Sequence, residues 1–346
     1  MAGPLLRYSL AEFAEIIFTS FRIADVRKVM EIGSEAGLFT RQLVEWVERR
    51  GGALFCVEPS PTKDVLELVG ASPSVRLLQE TSHEALAHAE PVDAYLVDGD
   101  HNYFTVTGEL EGIERAARQA DRSVIVFLQD VDWPCGRRDF YYAPERLPAE
   151  AVHPHTFDLG VVPGSDEPVV GGFRGDGHFA CALHQGGPRN GVRTALEDFL
   201  AGHPGWVVRH VPCVFGLCVV FPEDAPWSAE LGDFLDCYHE NPMLVRLETN
   251  RIDLYLKVLE LQDQLAALRL HYEGLSTERD TQLRATETAM FLAQQEARTA
   301  RVDASRSQVP EPESQARRAP ARQRRAVLGA FLRRAMDALL MRTTRG

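Results

Sequence analysis

The stretch Val29-Met30-Glu31-Ile32-Gly33-Ser34-Glu35-Ala36-Gly37 decides how the chain folds. The largely apolar run 29–32 is followed by Gly33 and Gly37. Apolar residues then recur at helical spacing, at Leu38, Leu43, Trp46 and Val47. This pattern predicts a buried strand, a tight turn and the start of a helix. Glycine allows the tight turn and a close ligand approach, and the unpaired amides of a helix start bind negative groups. We expect a ligand site here, with Glu31 accepting a hydrogen bond from a ligand ammonium group.

The glycine spacing differs from that of a dinucleotide-binding turn. The pattern G-x-G-x-x-G requires a glycine where this chain has Glu35. A second apolar run, residues 54–57, ends in Glu58, whose carboxylate is placed to bind both hydroxyls of a ribose. Together the two runs favour a site for an amino acid joined to a nucleoside. Taken alone, the first motif is equally compatible with an ordinary strand-turn-helix junction.

The order of these features resembles the class I S-adenosylmethionine (SAM)-dependent methyltransferases. The resemblance implies that three residues hold the methionine part of SAM, namely Glu31, Gly33 and Gly37, and that Glu58 holds its ribose. It also places the polar run 79–82, which follows a third predicted strand, against the adenine, with Ser82 as the contact. The alternative for this run is an ordinary helix cap formed by Thr81 or Ser82.

A second informative stretch, Asp98-Gly99-Asp100-His101-Asn102-Tyr103, follows the predicted buried strand 92–97. Two carboxylates and an imidazole within four residues are costly at a strand end unless they bind a ligand or react. The next predicted strand, 123–128, delivers Gln129 and Asp130 to the same edge of the sheet. If the two strands are neighbours, Asp98 and Asp130 face a shared site.

The stretch D-G-D-H-N-Y is similar to the D-G-D-H-S-Y signature of methyltransferases related to macrocin O-methyltransferase and cephalosporin hydroxylase. This resemblance implies that Asp98 and Asp130 bind Mg2+, with Asp132 or Gln129 in support, and that Asp98 also serves the cofactor site and catalysis. His101 is then the candidate base, because a histidine pKa ordinarily lies near working pH. The relatives have a second acid where this chain has Gln129. The alternative is that Asp98 and Asp130 cap helices or bond to loops.

The rest of the pattern predicts an α/β fold. Helical and strand-like segments alternate from Ser9 onward, which indicates a parallel sheet with helices on both faces. The β-rich runs 206–211 and 214–221 fit the closing antiparallel hairpin of a methyltransferase sheet. We therefore expect a Rossmann-like class I methyltransferase domain over residues 1–240, and the resemblance covers residues 10–222 of it.

Residues 132–192 contain few periodic runs and many glycines and prolines. Aromatic residues are frequent among them, so a substrate lid is favoured over disorder. Arg137 and Arg138 are candidates to grip a phosphate or a carboxylate, or they pair with nearby acids. The segments W-P-C-G-R-R-D (133–139) and G-G-P-R-N-G-V (186–192) resemble segments of the same bacterial methyltransferase subfamily, with no role assigned.

Leucines recur every seven residues after position 244, at Leu247, Leu254, Leu261, Leu268 and Leu275. These heptads predict a coiled coil over residues 244–300, most simply a parallel homodimer, although Arg251 interrupts the core register near its start. The alternative is a single long helix packed on the domain. Residues 302–321 are predicted to form a disordered linker, and residues 322–346 a basic amphipathic helix that lies on an anionic membrane or docks on a partner.

Composition narrows the class of protein. The formal net charge is -13; nine arginines and one aspartate from Arg317 to the end contribute +8, which leaves -21 for the preceding 316 residues. An acidic body argues against nucleic acid as the main partner. The six cysteines form no C-x-x-C pair, which is typical of reduced thiols. Because the sequence shows neither a signal-like segment nor an apolar run of bilayer length, we expect a cytoplasmic protein.

The residues and the resemblance together predict a SAM-dependent methyltransferase (EC 2.1.1.-). Its expected acceptor is an oxygen atom of a small or carbohydrate-containing metabolite, and Mg2+ is an additional cofactor that the resemblance implies. Two alternatives stay open, a hydroxylase-type enzyme on the same fold and a non-catalytic organiser that uses the coiled coil and the basic tail.

Overall fold

The computed structural model describes residues 6–34 and 36–306. The chain divides into two compact units, Met1–Leu270 and His271–Gly346. The first unit contains all the strands of the described residues. They are β1 (Lys28–Ile32), β2 (Ala53–Val57), β3 (Val75–Leu78), β4 (Ala94–Val97), β5 (Ile125–Gln129), β6 (Phe140–Tyr141), β7 (His155–Thr156), β8 (Ala180–Ala182), β9 (Trp206–Val211) and β10 (Leu217–Pro222).

Seven of these strands form one sheet in the order β3-β2-β1-β4-β5-β10-β9. The first five are parallel, and β10 and β9 close the sheet as an antiparallel hairpin. At the centre, Met30 of β1 pairs with Phe55 of β2 and with Tyr95 of β4. The predicted parallel sheet with a closing antiparallel hairpin is therefore confirmed.

The described helices are α1 (Ala14–Ile23), α2 (Leu38–Arg50), α3 (Lys63–Ala71), α4 (Ser82–His88), α5 (Tyr103–Gln119), α6 (Val192–Gly202), α7 (Ser228–Leu235) and α8 (Pro242–Arg306). A 3-10 turn, Leu10–Phe13, precedes α1, and the Ser9 hydroxyl caps it by accepting from the N–H of Ala11.

Helices cover both faces of the sheet because alternate residues of a buried strand point to opposite sides. Met30 and Ile32 of β1 pack into one apolar core together with residues of α4, α5 and α6. Val29 packs into a second core with residues of α1, α2 and α7. The fold class predicted from the sequence, a Rossmann-like sheet between two helical layers, is confirmed.

Residues 132–192 form a folded insert. Within it β6, β8 and β7 make a small antiparallel sheet, and Tyr141, Ala180 and Ala182 form a buried core of its own. The sequence predicts an irregular lid here because strands of two or three residues leave no periodic pattern.

Helix α8 begins inside the first unit, where Ile252 is buried against Leu6 and Phe215. Four heptad leucines of this unit, Leu247, Leu254, Leu261 and Leu268, have between 50% and 59% of their surface exposed. The helix extends to Arg306 and so includes residues 302–306 of the predicted linker. The rest of that linker and the predicted basic helix 322–346 lie outside the described residues.

No helix of the described residues is both long enough and apolar enough to cross a membrane.

Candidate active site

The glycine turn lies at the carboxyl ends of β1, β2 and β4. Gly33 has a φ of +85°, and a Cβ there would lie 2.1 Å from the carbonyl oxygen of Asp98. Its N–H donates to the carbonyl of Val57 (3.0 Å). Gly37, with a φ of +73°, directly precedes α2, and a Cβ there would lie 2.9 Å from Leu68. Both glycines are required by the close approach of protein atoms and by their left-handed backbone conformation.

Glu31 lies beneath this turn and is buried. Its Oε2 accepts hydrogen bonds from the hydroxyls of Thr40 (2.6 Å) and Ser34 (3.1 Å), with the Cys56 thiol 3.8 Å away. Burial raises the pKa of Glu31 to about 7, against these hydrogen bonds, which lower it. The observed bonds of Glu31 all shape the turn, and its contact with a ligand ammonium stays a prediction.

Glu58 follows β2 and is half-buried beside the same turn. One carboxylate oxygen accepts from the N–H of Ser34 (3.3 Å) and the other from the N–H of Ser60 (3.0 Å). These bonds fix the carboxylate at the carboxyl edge of the sheet, and its contact with a ribose stays a prediction.

The polar run after β3 forms the start of α4. The Thr81 hydroxyl accepts from the N–H of Glu84, and the Glu84 carboxylate accepts from the N–H of Thr81. The helix-cap interpretation is therefore confirmed for Thr81. Ser82 is the first residue of the helix and is almost buried, and its contact with an adenine stays a prediction.

Three predicted site residues meet at the carboxyl ends of β4 and β5, which are neighbouring parallel strands. Nε2 of His101 lies 3.1 Å from Oδ2 of Asp130 and 4.0 Å from Oδ1 of Asp98. One potential ligand atom from each of the three residues lies within 4.8 Å of the other two. The expectation that Asp98 and Asp130 face a shared site is confirmed, and His101 lies between them.

Burial dominates the electrostatics of this cluster. It lowers the pKa of His101 to about 4 and raises the pKa of Asp130 to about 8, with the positive charge of Arg251 opposing the second shift. Both shifts have the same cause, because burial favours the neutral imidazole and the neutral carboxyl over their charged forms. Asp130 also has a φ of 60°, an uncommon conformation for a residue other than glycine.

The cluster fits a divalent cation by its chemistry. Oδ1 of Asp130 is buried and has no hydrogen-bond partner among the described residues, which leaves one carboxyl oxygen for a ligand. Two carboxylates and one imidazole suit Mn2+ and other first-row ions as well as Mg2+. Asp98, His101 and Asp130 are the residues that could hold such an ion.

The two supporting ligands suggested by the sequence do not join this cluster. The side-chain amide of Gln129 donates to the carbonyl of Tyr8. The Asp132 carboxylate accepts from Nε2 of His210 (2.9 Å) and lies 3.4 Å from Arg193. Both contacts involve elements distant in the sequence, which a local pattern does not reveal.

The loop between β4 and α5 is held by its own polar residues. Asp100 accepts from the side-chain amide of Asn102 (2.7 Å) and from the N–H of Tyr142 (3.2 Å), and burial raises its pKa to about 6. Asn102 in turn caps α5, accepting from the N–H of Thr105. The ring of Tyr142 lies 6.2 Å from that of His101, centroid to centroid, so the insert forms one side of the site.

The sequence did not indicate the role of Asp139, whose hydrogen bonds join the insert to the site. Asp139 is fully buried and accepts from the N–H groups of Tyr103 (2.8 Å) and Gly191 (2.6 Å) and from the Tyr141 hydroxyl (3.0 Å). Its own N–H donates to the side chain of Asn190 (2.7 Å). The segments 133–139 and 186–192 are thus two halves of one structural unit at the starts of α5 and α6.

The two arginines of the insert are engaged with protein groups. Arg137 makes a bidentate pair with Glu197 (2.6 Å for each bond). Arg138 is buried and donates to backbone carbonyls, including those of Ala182 and Asp166. For Arg137 the alternative of pairing with a nearby acid is confirmed.

The sheet order, the glycine turn and the cluster at the ends of β4 and β5 define a Rossmann-like methyltransferase fold. Residues 30–131, from β1 to just beyond β5, match a family model described as a methyltransferase domain. This match spans less than a third of the chain and includes Glu31, Glu58, Asp98 and Asp130. No protein with a curated description matches the sequence.

Several solved methyltransferase structures are similar to this chain. The SAH-bound methyltransferase PaMTH1 of Podospora anserina is 18% identical over 63% of this chain and 80% of that chain, with a TM-score of 0.40. The SAM-bound amino pentose methyltransferase CalS10 of Micromonospora echinaspora is 13% identical over 64% of this chain and 100% of that chain, with a TM-score of 0.34. A SAM-dependent methyltransferase of Clostridium acetobutylicum is 10% identical over 62% and 92%, with a TM-score of 0.36. Likenesses of this size carry no argument about activity.

Proposed function

We propose that this chain is a SAM-dependent methyltransferase of the D-G-D-H-x-Y type that methylates a hydroxyl oxygen of a small or carbohydrate-containing acceptor. One observation supports the proposal: Asp98 lies against the glycine turn and also belongs to the cluster of Asp98, His101 and Asp130. Its carbonyl oxygen is the atom that a Cβ on Gly33 would strike, and its carboxylate lies 4.0 Å from Nε2 of His101. A cofactor seated on the turn therefore has the cluster beside it.

The residues around the turn suit SAM in kind. SAM, when bound, supplies a methyl group on a positively charged sulfur. Glu58 offers a half-buried carboxylate to the ribose hydroxyls, held in place by the amides of Ser34 and Ser60. Glu31 holds the turn from below through its bonds to Ser34 and Thr40. Gly33 and Gly37 would hold the methionine part of SAM, and Ser82 its adenine.

His101 is the candidate to take the proton of the acceptor hydroxyl. Burial lowers the pKa of its imidazole to about 4, so the ring is neutral near pH 7 and can accept a proton, but it is a weaker base than a histidine whose pKa lies near working pH. Asp130, 3.1 Å from Nε2, orients the ring. Most of the rate enhancement would come from holding the oxygen in line with the methyl group.

We include a divalent cation, Mg2+ or a first-row ion, in this proposal. Asp98 and Asp130 would hold it, and His101 beside them would remain the base. Such an ion favours the ionised forms of its carboxylate ligands and acidifies a bound hydroxyl group.

Calorimetric titration with SAM and S-adenosylhomocysteine, with and without Mg2+, tests the cofactor site. Glu58→Ala is expected to lose binding because it removes the ribose carboxylate. Glu67→Ala, an exposed position on α3, is the matched control and is expected to bind normally. Failure of the wild-type chain to bind either compound would refute the proposal. The hydroxylase alternative would then be tested by oxidation dependent on iron and an oxo-acid, and the organiser alternative by self-assembly.

We also propose that the chain is cytoplasmic and forms a homodimer along α8. The heptad leucines support the dimer, since those of the first unit are at least half exposed in a single chain. Peripheral membrane contact by residues 322–346 is a proposal from the sequence alone.

A further inference from the structure

The start of α8 lies near the carboxyl ends of the parallel strands, where the candidate active site is. Glu248, in its second turn, is only 7% exposed. Its two carboxylate oxygens accept hydrogen bonds from the N–H groups of Val214 (3.0 Å) and Phe215 (2.9 Å). These two residues form the turn between β9 and β10, which are the closing strands of the sheet.

Arg251 fixes this carboxylate in place. Its guanidinium donates to both oxygens of Glu248 (2.7 and 2.6 Å) and to the backbone carbonyl of Arg7 (2.9 Å). The same group lies 4.8 Å above the ring of Phe215. A bidentate guanidinium is suited to neutralise a nearly buried carboxylate. We call Glu248 and Arg251 the α8 clamp.

The turn that the clamp holds is in an unfavourable conformation. Val214 and Phe215 have φ values of 50° and 64°, and β-branched and bulky residues keep such conformations only where the surroundings enforce them. In this conformation the N–H groups of Val214 and Phe215 both donate to the Glu248 carboxylate. Without the clamp, the turn is expected to relax.

The 214–216 turn also holds the backbone next to Asp130. The carbonyl of Phe215 accepts from the N–H of Asp132 (2.8 Å), and that of Gly216 accepts from the N–H of Val131 (3.4 Å). Asp130 immediately precedes these two residues and itself has a positive φ. A continuous set of contacts therefore leads from the α8 clamp to the cluster of Asp98, His101 and Asp130.

We propose that Glu248 and Arg251 are positioning residues of the active site, which set the place of the Asp130 carboxyl through the 214–216 turn. The catalytic consequence rests on the proposed function. The long helix is then part of the catalytic machinery as well as an assembly element. A chain that ends at Leu244 lacks both residues, so such a truncation is expected to lose turnover together with self-association.

Hydrogen exchange measured by mass spectrometry tests the positioning directly, in the full chain and without any ligand. In Arg251→Lys, which keeps the charge and loses the bidentate fork, and in Glu248→Gln, exchange at Val131 and Asp132 is expected to rise about tenfold, the equivalent of one weakened hydrogen bond. Exchange in β1 should not change. Arg246→Met, an exposed position on the same helix, is the control and should match the wild type.

Steady-state kinetics of the same variants tests the consequence. We expect kcat to fall about 10- to 100-fold, the effect of a displaced catalytic group, while the dissociation constant of SAM stays within about twofold. Unchanged exchange at Val131 and Asp132, or raised exchange with an unchanged kcat, overturns the proposal. If Glu248→Gln unfolds throughout, Arg251→Lys decides alone. A wild-type chain without SAM binding or turnover refutes the proposed function, and exchange still decides whether the clamp holds the Asp130 segment.

Discussion

Replacing Glu109 by glutamine should remove a pH dependence of folding stability. Glu109 lies on α5 with only 1% of its surface exposed, and Oε1 would be 3.7 Å from a Cβ on Gly99. Burial raises its pKa from 4.5 to about 8, with the Asp100 charge adding to the shift and the Ser82 hydroxyl opposing it. The folded chain therefore keeps this carboxyl protonated at pH values where the unfolded chain has lost the proton.

The sign and size of this pH dependence follow from the difference in proton binding between the folded and unfolded states. Below pH 4.5 both states hold the proton, so the pH has no effect through this group. Between pH 4.5 and about 8 the folded state binds more protons, and the free energy of unfolding falls by about 1.4 kcal/mol per pH unit. The loss reaches about 3 kcal/mol at pH 7 and about 4 kcal/mol at pH 8, where the folded carboxyl is half ionised. Glutamine does not titrate, so Glu109→Gln should gain stability relative to the wild type by these amounts as the pH rises.

Urea unfolding at pH 5, 7 and 8, followed by the fluorescence of the four tryptophans, measures the difference. A buried glutamine adds a constant penalty for its unpaired amide, so the change of the difference with pH is the informative quantity. Glu111→Gln, with 47% of the side chain exposed on the same helix, is the control. A difference between Glu109→Gln and the wild type that stays constant from pH 5 to 8 would refute the reasoning, because Glu109 would then ionise in the folded state as it does in the unfolded one.

Two further predictions concern α8. Asp263→Asn breaks its two bonds to Arg174 of the insert (3.0 and 2.7 Å). Steady-state kinetics should then show the KM for the acceptor raised severalfold, with the SAM dissociation constant unchanged. The exposed control Asp253→Asn should match the wild type, and an unchanged KM in Asp263→Asn would show that the pair has no part in acceptor binding. Leu261→Asp places a charge in the predicted coiled-coil seam and should convert the dimer to a monomer, which light scattering measures. Gln262→Asp, outside the seam, should leave the dimer intact. A monomeric wild-type chain would contradict the predicted coiled coil.

Local patterns in the sequence determine the central sheet and the position of the site. The strand that contains Glu31 and the strands that precede Glu58 and Asp98 can be recognised because burial on both faces leaves largely apolar runs. Parallel strands share one carboxyl edge, so the sequence predicts that Asp98 and Asp130 meet if β4 and β5 are neighbours, and the structure shows that they are. The fold class and the three residues of the cluster could therefore be predicted before any tertiary contact was known.

Only the tertiary structure decides which distant groups pair. Asp139 and Asn190, which join two segments 51 residues apart, and Glu248, which holds the turn at Val214, have no periodicity that marks them. Arg251 shows the difference most clearly. In the sequence it is a defect at a coiled-coil core position, whereas in the fold its guanidinium neutralises the nearly buried carboxylate of Glu248 beside the 214–216 turn. A heptad pattern records only the spacing along one helix, and the partner that a polar side chain meets is set by how the whole chain packs.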